Sequence, residues 1–211
     1  MPAAAVALLA IAFGALGPRL ASLHAWLGVA SVALVLVRGF RNRLVPAALA
    51  LGLAECLLRG EIVHACLAPM FFAGCVAAAQ SEPIPRGVSM FAKAVRFAPL
   101  LVLCQIVLGA AYRHKAIGVM PHLAGAMIAA GFLLVVATLI LQRPGQGASA
   151  EKAAGALVAI ALLQVSLGIV VFVMRMLDAD TSAAFTPLAA AHVAVGALTL
   201  AASTVLAMRV E

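Results

Sequence analysis

Val119–Leu141 contains no charged residue, and its only polar side chains are His122 and Thr138. The hydrocarbon core of a bilayer takes about 20 helical residues to cross, so this stretch reads as a transmembrane helix. A second apolar run precedes it and ends in Gln105–Tyr112, with the basic turn Arg113-His114-Lys115 between the two. Eight such runs are separable by glycine, proline and charge: Ala3–Leu16, Leu20–Val37, Leu44–Leu58, Ile62–Ala79, Phe97–Tyr112, Val119–Leu141, Ala153–Met176 and Pro187–Met208. No strand-like alternation that could close a barrel is present. The spans are therefore expected to be helices, which satisfy their own backbone polar groups in lipid. The first, third and fifth runs fall short of a full crossing and need flanking residues or a locally thinned bilayer.

With 66% hydrophobic and 10% charged residues in 211, a soluble domain could not cover its apolar surface. Lipid is the expected solvent and partner. A formal charge of +7 would suggest nucleic acid for a soluble chain. Here Lys and Arg sit in loops, where they set orientation, and no nucleic-acid partner is expected. The N-terminal side receives Arg38, Arg41, Arg43, Arg86, Lys93, Arg96, Arg143, Lys152 and Arg209, and the opposite side only Arg19, Arg59, Arg113, Lys115 and Arg175. The excess puts both termini in the cytoplasm. The N-terminus lacks a basic n-region, so Ala3–Leu16 is expected to be a retained helix and not a signal peptide. The four cysteines, Cys56, Cys66, Cys75 and Cys104, form no CxxC and no CxxCH, which disfavours a zinc knuckle and covalent haem attachment.

The longest connections, Gln80–Arg96 and Gln142–Lys152, are rich in Pro, Gly, Ser and charge and read as surface linkers. Between the linkers an internal repeat is visible. Odd-numbered runs end in Phe13-x-x-Leu16-Gly17, Glu55-x-x-Leu58-Arg59, Gln105-x-x-Leu108-Gly109 and Gln164-x-x-Leu167-Gly168. Even-numbered runs each carry a histidine near their start: His24, His64, His122 and His192. The expected fold is an all-α polytopic membrane protein, with eight transmembrane helices as two pseudo-repeated four-helix bundles. The halves are residues 1–85 and 86–211.

In the derived orientation all four histidines lie at one depth, just below the outer face. Titratable groups inside a membrane are costly and mark functional sites by default. Four residues after each histidine stands Gly28, Ala68, Ala126 or Gly196, on the same helix face. Such small residues leave a recess beside an imidazole that would suit a porphyrin plane, although they also serve close helix packing. Two histidines from facing helices can clamp one haem iron axially, which pairs His24 with His64 and His122 with His192. Arg19, Arg59, Arg113, Lys115 and Arg175 could meet haem propionates or be ordinary loop charges. Gln105 and Gln164 either glue helices together or line the pocket. Glu61, three residues before His64, and Glu55 could orient that imidazole or move protons, or Glu61 could pair with Arg59. His114 reads as a solvated loop residue. A Cys56–Cys66 disulfide is possible.

The combination Gln105-x-x-Leu108-Gly109-Ala110 with Arg113, followed by His122-Leu123-Ala124, resembles the haem A synthase family. So do His64-Ala65-Cys66-Leu67-Ala68 with Phe71-Phe72-Ala73, and Gln164-x-x-Leu167-Gly168 preceding His192. The resemblance covers nearly the whole chain. It implies an enzyme of the bacterial cytoplasmic or mitochondrial inner membrane that oxidises the methyl group of haem O to the formyl group of haem A. It further implies a haem b cofactor between His122 and His192, with Gln105, Gln164 and Arg113 around it. The substrate haem would lie between His24 and His64; the residues themselves, apart from the resemblance, offer Arg59 for that haem and Glu61 and Glu55 as candidate catalytic acids. Haem O synthase or cytochrome oxidase assembly factors would be its partners.

The chain departs from the family at two positions beside the first histidine. The family usually has a Glu three residues before it and an Arg just after it, where this chain has Ala21 and Ala25. The long outer loop after the first helix is reduced to about Gly17–Leu20. A haem-binding electron-transfer or assembly protein without turnover is the alternative. A solute or metal transporter would need helices broken at mid-membrane, which the sequence does not show.

Overall fold

A computed structural model describes residues 1–16, 20–37, 44–57, 60–80, 89–143 and 147–210. Among these the chain forms α1 (Pro2–Ala15), α2 (Ala21–Val37), α3 (Val45–Leu57), α4 (Glu61–Ala78), α5 (Met90–Arg113), α6 (Val119–Gln142), α7 (Ala148–Met176) and α8 (Phe185–Ala207). Five of them, α4 to α8, are long and apolar enough to cross a membrane, and α1 to α3 are shorter apolar helices. The chain is thus a helical protein of membrane character. The first and third runs are short, as expected from sequence, at 14 and 13 residues. The fifth is not. It starts at Met90 and takes in Lys93 and Arg96, because the Ser89 hydroxyl accepts from the Ala92 amide at 3.0 Å and caps the helix a full two turns earlier. The seventh likewise begins early, after Gly147, whose φ of +82° only glycine adopts without strain.

Each helix of the first four packs on its chain neighbour, and α1 closes on α4, giving a ring of four. The second four repeat this arrangement, with α5 closing on α8. In each ring the two even helices are therefore diagonal partners that face each other across the centre. The rings are joined through α8, which packs on α4 and α1, and through α5 against α4. The boundary expected at residues 85 and 86 lies outside the described residues.

Packing follows the logic of helices in lipid, where small residues let backbones approach. Ala48, Ala92, Ala98, Ala137, Ala154 and Ala197 are fully buried. The outer surface is apolar instead: Leu162, Leu163, Ile169, Val170 and Val173 on α7 are all exposed. Buried hydroxyls bond within their own helices, Ser31 to the Gly28 carbonyl at 2.7 Å and Thr199 to the Val195 carbonyl at 2.9 Å. Gly52 on α3 admits the ring of Phe71, and a Cβ there would come within 2.9 Å of it.

Phe71 is the largest fully buried side chain, at 1% exposure. Phe71→Ala should destabilise the protein by about 3–5 kcal/mol through the cavity left behind, measured by denaturant titration in detergent. A loss below about 1 kcal/mol would contradict this packing.

Candidate functional site

The even helices begin where the odd helices end, which puts every even-helix histidine at one end of the bundle. His24, His64 and His122 lie in the first turn of α2, α4 and α6, and His192 lies one turn deeper in α8. In both rings the two imidazoles meet at the centre. His24 Nε2 and His64 Nε2 stand 3.1 Å apart, with ring centres 5.3 Å apart and planes at 86°. The rings of His122 and His192 stand 6.5 Å apart at 90°.

The odd helices hold these rings from the side. Nδ1 of His24 donates to the Ala10 carbonyl (2.8 Å), Nδ1 of His64 to the Glu55 carbonyl (3.3 Å) and Nδ1 of His192 to the Gln164 carbonyl (3.2 Å). An Nδ1–H tied to a carbonyl fixes the tautomer and leaves Nε2 as the nitrogen able to bind a metal. His122 is held differently. The Gln105 amide donates to its carbonyl (2.9 Å) and to its Nδ1 (3.0 Å). With the amide so placed Nδ1 is an acceptor and the ring proton sits on Nε2, while Gln105 Oε1 is buried without a hydrogen-bond partner. At His192 the Gln164 amide donates to Nε2 at 3.4 Å, occupying the lone pair a metal would take. The Gln164 Oε1 is the second buried oxygen without a partner.

Three glycines form the seats of the imidazoles. A Cβ on Gly14 would meet His24 at 2.8 Å, one on Gly109 would meet His122 at 3.0 Å, and one on Gly168 would meet His192 at 3.0 Å. Gly14 stands beside His24 as Gly109 stands beside His122. Gly17 itself lies outside the described residues. Of the small residues after the histidines, Gly28 faces open space, while at Gly196 the Gln164 amide fills the recess at 3.3 Å.

The acids and bases around the site fall differently from the sequence expectation. Glu61 does not turn to His64. It is 80% exposed and accepts from His114 Nδ1 at 2.9 Å, tying the start of α4 to the α5–α6 turn. His114 is accordingly a partnered residue and not a freely solvated one. Glu55 is buried at 9% exposure, and its backbone carbonyl is what touches His64. Arg113 donates to the Ala15 carbonyl at 3.3 Å, a second tie between the rings at this end. Arg19, Arg59 and the Cys56 side chain lie outside the described residues. Cys66 is a free thiol among the described residues, and a Cys56–Cys66 bridge lies outside them. Tyr112, unremarkable in the sequence, stacks on His122 and receives a hydrogen bond from Arg175.

The donor set selects what could bind. Among the described residues no group of three or more His, Cys, Asp or Glu is placed to hold a metal ion. Two opposed imidazoles suit a metal that brings its own equatorial ligands. Trans ligation needs nitrogens about 4 Å apart and ring centres about 6 Å apart, for two bonds of about 2 Å each. The His122 and His192 ring centres, 6.5 Å apart, match the second distance, and to hold a metal Nε2 of His122 would have to give up its proton and that of His192 the Gln164 amide. The His24–His64 pair, with Nε2 atoms 3.1 Å apart, is about 1 Å too close and would have to part to admit an iron.

Gly168→Val should push His192 off its seat and lower stability by about 1–3 kcal/mol by overpacking, whereas Gly28→Ala should be near neutral. Thermal unfolding of both variants in detergent checks the contrast, and equal losses would contradict the seats.

Comparison with protein-family models, with curated proteins and with solved structures gives no match to this chain.

Proposed function

We propose that this chain is a membrane oxidoreductase of the haem A synthase type. Its eight helices act as spans, arranged as two pseudo-repeated four-helix halves with both termini in the cytoplasm. The observation that carries the proposal is the pairwise meeting of four histidines across the centres of two helix rings, one pair per ring. His122 and His192 are suited to hold a haem b cofactor, which supplies one-electron redox chemistry when bound. His24 and His64 are suited to hold the substrate, haem O, whose methyl group is oxidised to a formyl group.

The roles of the other side chains follow from their contacts. Gln105 fixes the His122 ring from Nδ1 and from the backbone. Gln164 keeps the His192 lone pair satisfied until it is displaced. Gly109 and Gly168 let the rings lie flat against α5 and α7. Tyr112 and Arg175 cover the His122 side at the bundle end. In the first ring Ala10 and Glu55 take the places of the two glutamines, so that pair has one unobstructed side and one acid. Haem O synthase and cytochrome oxidase assembly factors are the partners this activity calls for.

A second reading is favoured by two observations. Ala21 and Ala25 carry no acid or cation beside His24, and Glu61 is engaged with His114. On that reading the chain binds haem for electron transfer or assembly and turns nothing over.

Pyridine haemochrome analysis of the detergent-purified protein should give protohaem, and His122→Ala should lose at least half of it. Co-production with a source of haem O should yield extractable haem A. Full haem retention in His122→Ala would overturn the cofactor site. Haem binding without haem A would leave only the second reading.

A further inference from the structure

Tyr112 lies in the last turn of α5, with its ring only 12° from the plane of His122 and 6.1 Å from it centre to centre. Its hydroxyl accepts from Arg175 Nη1 at 3.0 Å. The Arg175 guanidinium in turn stands 5.6 Å from the Tyr112 ring centre and 5.4 Å from that of Phe185, the first residue of α8. One cation therefore ties the ends of α5, α7 and α8 together over His122, through a hydrogen bond and two cation–π contacts. Held on that face, the ring cannot turn about its Cβ–Cγ bond without losing the stacked contact.

That restraint has a consequence for any iron between His122 and His192. An axial imidazole turns about its iron–nitrogen bond at little cost, so the protein decides where its plane rests. Here the two planes are crossed at 90°. Crossed axial planes leave the two iron dπ orbitals nearly equal in energy, and parallel planes split them. Ferric low-spin haem reports the difference directly, as a highly anisotropic EPR signal for crossed planes and a rhombic one for parallel planes.

We infer that Tyr112 is a positioning residue, anchored by Arg175, which holds the His122 imidazole crossed to that of His192 and so sets the electronic character of the iron between them. This rests on the proposed haem site at His122 and His192. An interfacial aromatic that merely packs at the membrane edge would leave the iron signal alone when replaced.

The test uses holoprotein purified in a His24→Ala/His64→Ala background, so that only the second ring holds haem, with EPR of the ferric form as readout. The unsubstituted background and Tyr112→Phe, which keeps the stacked ring, should both give the anisotropic signal. Tyr112→Leu should convert it to a rhombic one, with haem content within about twofold of the background. If Tyr112→Leu loses its haem, Arg175→Gln decides: a rhombic component is expected, and an unchanged signal overturns the role. A rhombic signal in the background, or an anisotropic one in Tyr112→Leu, also overturns it while leaving the haem site standing. No low-spin haem in the background would overturn the site and this inference together.

Discussion

An imidazole inside an apolar helix bundle must find partners for both ring nitrogens, because lipid offers none. This chain meets the demand in a fixed way. In three of four cases Nδ1 turns sideways onto a carbonyl of the neighbouring odd helix; Nε2 of His24 and Nε2 of His64 then face each other, and Nε2 of His192 takes the Gln164 amide. The carbonyls belong to Ala10, Glu55 and Gln164, near the ends of their helices, and the fourth odd helix uses the Gln105 side chain. Glycines one turn further on give the rings room. Once those bonds are made, Nε2 of His24 and Nε2 of His64 can face only each other or a common ligand.

The rings differ in what surrounds that ligand position, and the difference bears on function. Around His122 and His192 stand two neutral amides, an aromatic and an anchored arginine. The imidazoles stay 6.5 Å apart and make no direct bond. Around His24 and His64 the corresponding side chains are an alanine and a buried acid, and the imidazoles close on each other at 3.1 Å. A site that closes on itself binds its ligand more weakly by the free energy of that closure. A resident cofactor in the second ring and an exchanging substrate in the first are consistent with that asymmetry. The ties between the rings, Glu61 to His114 and Arg113 to the Ala15 carbonyl, lie at the same end as all four histidines.

The sequence made helix number, order and histidine pairing legible, because apolar runs and their punctuation are strong signals and each even run carries one histidine. Helix ends were less so. The cap at Ser89 and the left-handed Gly147 extend α5 and α7 through charged residues that hydropathy alone assigns to loops. Phe13-x-x-Leu16-Gly17 and Ala10-x-x-Phe13-Gly14 have the same apolar spacing, so the seat of His24 on Gly14 was not legible in the sequence. Glu61 shares a helix face with His64, but spacing along one helix does not reveal a competing base on another chain segment. The link from Tyr112 to Arg175 joins residues far apart in the chain, and no local pattern could have announced it.

The central claim is that two imidazoles, one from each diagonal helix, grip a single iron. Near-infrared magnetic circular dichroism of the ferric purified protein tests it most directly, since the energy of the charge-transfer band identifies both axial ligands. The account predicts a bis-imidazole band that, in a His24→Ala/His64→Ala background, disappears when either His122 or His192 is replaced. A histidine–methionine band, or a bis-imidazole band that survives both replacements and both His24 and His64 replacements, would contradict it.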